Sequence, residues 1–195
     1  MNGKQWTGSG ALRAVLSWGG AGALCCAGAV ALAQGAASPS QDFVTRAAQA
    51  GMAEVKLSQL AKSRGENPAV RGYADNMIAD HEKAQAELEA LAGQKKLKVP
   101  TDLDATHQTA MKNLSAKSGT DFDTAYMMIM RQDHDKAVSL FKTAAESPAL
   151  DADLKAFAAK TLPTLEMHDE MARKLPMGPN GMMMKKAPPA GGTPH

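Results

Sequence analysis

The sequence predicts an all-α protein, an antiparallel four-helix bundle with a short connecting helix between the second and third long helices. Three observations predict it. Apolar residues recur at alternating spacings of three and four, the seam that bundle packing requires. Helix-start signals return along the chain, each set off by glycine or proline from the segment before it. No segment sustains apolar–polar alternation, so no strand is expected.

The first helix begins at Ser38-Pro39-x-Gln41, read as an N-cap, a proline at the first helical position and a capping-box glutamine, and it stops at Gly65. Asn67-Pro68 repeats the start signal for a second helix running to Gly93, and so short a break implies antiparallel neighbours. After Pro100, the segment from Asp102 to Lys117 carries Leu103, Ala110 and Leu114 on one face and reads as the connecting helix. Ser118-Gly119 ends it, and Thr120-x-x-Asp123 resembles a capping box for a third long helix through about Glu146. Ser147-Pro148 and Asp151 open the last, extending to about Leu175, with Pro163 inside it expected to cause a kink.

The chain has 195 residues and an apolar fraction of 44%, which suits one soluble core. Residues 1–33 stand apart. Lys4 and Arg13 are their only charges, the run from Ala14 is apolar, and Ala31-Leu32-Ala33 supplies a small-x-small site, the pattern of a cleavable signal peptide. The alternative is a retained membrane anchor. Cleavage implies a periplasmic protein, with a bundle domain over 34–175 and no stable membrane insertion of the mature chain. Both cysteines, Cys25 and Cys26, leave with the signal, so disulfides, thiolate metal sites and cysteine nucleophiles are excluded. The loss of Lys4 and Arg13 balances the mature chain at zero net charge, with no basic excess for nucleic acid or an anionic membrane. Residues 176–195, with Met182-Met183-Met184 among prolines and glycines, have the composition of a disordered tail. Capture of copper by those methionines is the other reading of the tail.

Each long helix places one ionisable residue on its apolar stripe. The second has His81 among Val70, Ala74, Met77, Ala84, Leu88 and Leu91; the fourth has His168 among Leu154, Ala158, Leu165 and Ala172. The third has His134 among Met127, Met130, Ala137 and Phe141; the first has Glu54 among Phe43, Ala47, Ala50, Leu57 and Ala61. An internal echo also stands out, Asp80-His81-Glu82-Lys83-Ala84 against Asp133-His134-Asp135-Lys136-Ala137, explained equally by chance and by a duplicated helical hairpin.

These residues resemble the bacterial exported proteins grouped as domain of unknown function 4142, often labelled outer membrane proteins. The resemblance covers about Gln41 to Leu175. It rests on Phe43-Val44 with Ala47-Ala48, Gly51-x-x-Glu54-Val55, Tyr73-Ala74-x-x-Met77-x-x-Asp80-His81, Phe122-Asp123-x-x-Tyr126, His134, Phe157-Ala158, Leu162-Pro163 and His168. It implies a ferritin-like helical bundle and no particular activity. The absence of barrel-type strands is at odds with the outer-membrane label.

At about 1.5 Å rise per residue, Glu54, His81, His134 and His168 fall close enough to the middles of their helices to share one layer. Burying three imidazoles and a carboxylate without partners is costly, so something must satisfy them. One answer is a transition metal, copper or zinc, held by His81, His134, His168 and Glu54. The other is mutual hydrogen bonding, such as a His–Glu54 pair. Asp80, Asp133 and Glu166 are candidates to orient the ligands or to form a solvated face. Met77, Met130 and Met171 lie one turn from the histidines and read either as core filler or as thioether ligands that favour copper(I). His107 reads as a packing or surface residue.

A di-iron centre is excluded by the missing Glu-x-x-His motifs: Ile78, Arg131 and Leu165 stand three residues before the histidines. No nucleophile elbow or phosphate loop is present, and aromatics make up only 4%. Three functions therefore compete: a periplasmic metal-binding bundle, a non-catalytic envelope or stress protein with an unidentified protein partner and structural histidines, and a pH sensor built on the imidazoles.

Overall fold

The structure, a computed structural model, describes residues 37–175. The expected signal peptide and tail lie outside these residues. The described chain is all-helical: α1 (Pro39–Arg64), α2 (Pro68–Gln94), α3 (Ala105–Ser115), α4 (Gly119–Glu146) and α5 (Ala152–Lys174), with no strand among them. None of the described helices is long and apolar enough to cross a membrane.

The start signals are mostly used as read. The Ser38 side chain accepts from the Gln41 amide, Asn67 from that of Ala69, and Asp151 from those of Asp153 and Leu154. Each satisfies amides that a helix cannot pair internally. The helix α5 runs on through Pro163 as one element.

Three details differ. The Gln41 side chain does not return to its own N-cap but bonds the backbone of Lys98, tying the start of α1 to the segment after α2. The connecting helix is shorter than expected because Asp104, accepting from the His107 amide, caps it there. The third long helix starts at Gly119, which takes a φ of 57° that favours glycine, and Asp123 is not a capping-box residue. Its carboxylate accepts instead from the amides of Glu66 (3.1 Å) and Asn67 (2.7 Å), while Arg71 donates to the carbonyls of Gly65 and Glu66. A residue of α4 thus satisfies the α1–α2 turn, a long-range role that no local pattern announces.

Packing runs α1 on α2, α4 on α5, α1 on α4 and α2 on α5, with α3 laid against α4 and α1. The apolar residues divide into two clusters. One joins Phe43 and Ala47 of α1, Leu88 of α2, Phe141 of α4 and Phe157 of α5; the other joins Leu57, Met77, Met127 and Ala172 of the same helices with Leu114 of α3. Met77 and Met130 are fully buried in the second cluster. The order of the clusters along α1 and α5 is opposite to that along α2 and α4, so every long helix passes from one to the other. The echoed pentapeptides sit on the second helix of one connected pair and the first helix of the other, so duplication of a helix pair would not align them.

Candidate metal centre

Between the two clusters lies a polar layer. In α2, α4 and α5 the histidine falls between the residues given to each cluster: His81 between Met77 and Leu88, His134 between Met130 and Ala137, His168 between Leu165 and Ala172. Each is there because the stripe periodicity carries it inward with its apolar neighbours. All three are buried, and Glu54 is 1% exposed beside them. Ring centroids are 5.6 Å apart for His81–His134, 5.3 Å for His81–His168 and 5.6 Å for His134–His168, a nearly equilateral arrangement.

On each ring one nitrogen lies against an oxygen. His81 Nδ1 is 3.1 Å from Glu54 Oε2, His134 Nδ1 is 2.9 Å from the Met130 carbonyl, and His168 Nε2 is 2.9 Å from Asp80 Oδ2. The opposite nitrogens, His81 Nε2, His134 Nε2 and His168 Nδ1, are buried and have no hydrogen-bond partner. An oxygen acceptor on one side fixes the proton there and leaves a lone pair on the other, which is how proteins prepare imidazole as a metal ligand. One nitrogen from each ring lies within 4.8 Å of those of the other two. Three nitrogens bound to one ion at about 2.0–2.1 Å sit no more than about 3.6 Å apart, so an inward movement of each ring by under about an ångström closes the set.

Glu54, expected among the ligands, is not part of this three-membered group. Its Oε2 lies 3.1 Å from His81 Nδ1, and its Oε1 stands 3.5 Å from His134 Nδ1 without a hydrogen bond. Of the acids considered as orienters, Asp80 touches His168; Asp133 turns to Lys136 and His107; Glu166 is exposed. Tyr73, edge-on to His168 with centroids 6.4 Å apart, and Tyr126, bonded to Ser58, close the layer on the side of the second cluster. Both tyrosines stand in the motifs that carry the family resemblance, but nothing local marked them as neighbours of the site.

Electrostatics keep the imidazoles neutral. Burial, together with the neighbouring His134 and His168, holds His81 well below the usual imidazole range. Burial lowers His134 to about 4 against the Met130 carbonyl's opposing effect, and lowers His168 despite Asp80. Burial, reinforced by Asp133, pushes the Glu54 carboxyl well above its ordinary value. Neutral imidazoles are the form that binds a cation, and an ion at their centre would favour the ionised Glu54 carboxylate.

The family model of a domain of unknown function, DUF4142, matches residues 27–175. The chain belongs to this family. No curated protein matches it in sequence. Two solved structures resemble this DUF4142 chain. One is the crystal structure of a DUF305 fragment from Deinococcus radiodurans, 15% identical, with a TM-score of 0.62 over 71% of this chain and 96% of that one. The other is a DUF305 protein from Streptomyces coelicolor, 18% identical, with a TM-score of 0.57 over 70% of this chain and 91% of that one. At these identities the likeness concerns the fold, and the centre of this DUF4142 member stands on its own geometry.

Proposed function

We propose that this protein binds one transition-metal ion, copper or zinc, through His81, His134 and His168, with Glu54 and Asp80 orienting the rings. The observation that carries the reading is the matched division of nitrogens, one tied to oxygen and one bare on each of three converging rings. Three bare buried nitrogens cost free energy unless something accepts their lone pairs. Three imidazoles suit zinc or copper and leave room for a further ligand. In this reading the long helices form an antiparallel four-helix bundle of ferritin-like type, exported by its signal peptide to the periplasm, where it takes up or buffers the ion. Retaining Glu54 beside His81, rather than as a fourth ligand, matches the distances above.

The test is metal analysis of protein purified from the periplasm, then thermal melts with zinc or copper. Saturation at 100 times Kd is expected to add about 2.7 kcal/mol to the stability, and His81→Ala is expected to lose that increment. Equal melts in wild type and variant, with no copurified metal, would leave the histidines as structural residues of an envelope protein.

A further inference from the structure

Outside the buried triad, a surface vestibule of about 250 Å³ opens over the seam of α1 and α4 beneath α3, lined in part by Asp104, His107, Asp133 and Lys136. Asp104 holds His107 twice, accepting from its amide at 2.8 Å and lying 2.8 Å from its Nδ1. In the neutral tautomer that directs its Nδ1 proton to Asp104, the ring offers a lone pair at Nε2. What it faces is Asp133 Oδ2, 3.9 Å away, whose sister oxygen is taken by Lys136 Nζ at 3.1 Å. The two atoms make no hydrogen bond to one another across that gap, which a cation or a bridging donor can fill.

The vestibule has a continuation. Ala50 and Ala137 line it and also line a smaller cavity, of about 20 Å³, whose other walls include Glu54 and His81. Ala50 and Ala137 thus border both the space beside the outer pair and the edge of the buried layer. The basic residues at the mouth are already paired, Arg46 with Asp42 and Lys136 with Asp133, and offer little net repulsion to a cation.

We infer that His107 and Asp133 form an outer capture site for a divalent transition-metal ion, from which the ion passes between Ala50 and Ala137 to the buried histidines. The passage rests on the metal-binding function proposed above; the capture site does not. Imidazole plus carboxylate, completed by water, is a borderline donor set that holds such an ion weakly enough to release it.

The experiment uses Co2+ as the probe on the full chain. In a titration followed by NMR, paramagnetic broadening of the His107 ring signals is expected; signals that stay sharp, as for an imidazolium bridging Asp104 and Asp133, overturn the capture site. Stopped-flow uptake is expected to slow about tenfold in His107→Gln, the low end of what a charged cleft contributes to an on-rate, with equilibrium affinity within about threefold of wild type. The cap survives this substitution because Asp104 bonds the backbone amide of residue 107. Ala50→Leu is expected to slow uptake in the same way, and unchanged rates in both variants overturn the passage. Broadening at His107 with no ion in the triad would defeat the proposed function and leave the outer site standing.

Discussion

Each imidazole of the triad has one nitrogen against an oxygen and one left bare, and the consequences are separable by substitution. Asp80 is on the surface with its side chain 41% exposed, yet it bonds His168 directly. Asp80→Asn is therefore expected to leave the melt of the metal-free protein almost unchanged while weakening zinc or copper binding by roughly 10–100-fold, measured by competition titration with a chelator. Burial gives a second prediction. The folded-state value of His134 is about 4 against 6.5 unfolded, so between those limits the unfolded chain binds more protons and stability rises with pH. Glu54, raised by burial, shifts in the opposite sense, so the test uses the metal-free Glu54→Gln variant, which is expected to lose about 2 kcal/mol between pH 7 and pH 5 in urea titrations, His81 adding to the loss. Equal stability at the two pH values would contradict the burial of neutral imidazoles.

At the scale of the elements, the helices are joined by polar contacts from distant parts of the chain. Asp123 of α4 satisfies the α1–α2 turn, and Arg131 of α4 donates to the carbonyls of Ala172 (2.6 and 2.9 Å) and Leu175 (3.3 Å) at the end of α5. Asp123→Ala leaves two amides without acceptors in a part-buried turn and is expected to cost about 3 kcal/mol in a denaturant melt. Arg131→Ala removes a charged donor from a helix C-terminus and is expected to cost about 1 kcal/mol. A reversed order of the two losses would show that the contact at the end of α5, not the turn, contributes more. The first and second helices were legible because their caps are local, Ser38 and Asn67 each bonding an amide within three residues. The roles of Gln41 and Asp123 were not legible. Both carry the right side chain for a capping box, but a tertiary acceptor or donor outcompetes the local one.

For the molecule as a whole, the polar layer is a joint between two apolar clusters, and three of the four helices crossing it contribute a ring. An ion there links α2, α4 and α5 at one point, so its binding free energy is shared by all three. Hydrogen exchange is expected to slow together around His81, His134 and His168 on adding zinc; slowing confined to one helix would argue for a surface site instead. The sequence by itself determined that the chain is helical, where most helices begin and end, and that three histidines and Glu54 ride on buried stripes, because capping and 3.6-residue periodicity act over a few residues. Only the tertiary structure decided which nitrogen of each ring is bare, that Glu54 lies behind His81, and that His107 meets Asp133, because those depend on how helices distant in sequence are rotated and slid against one another.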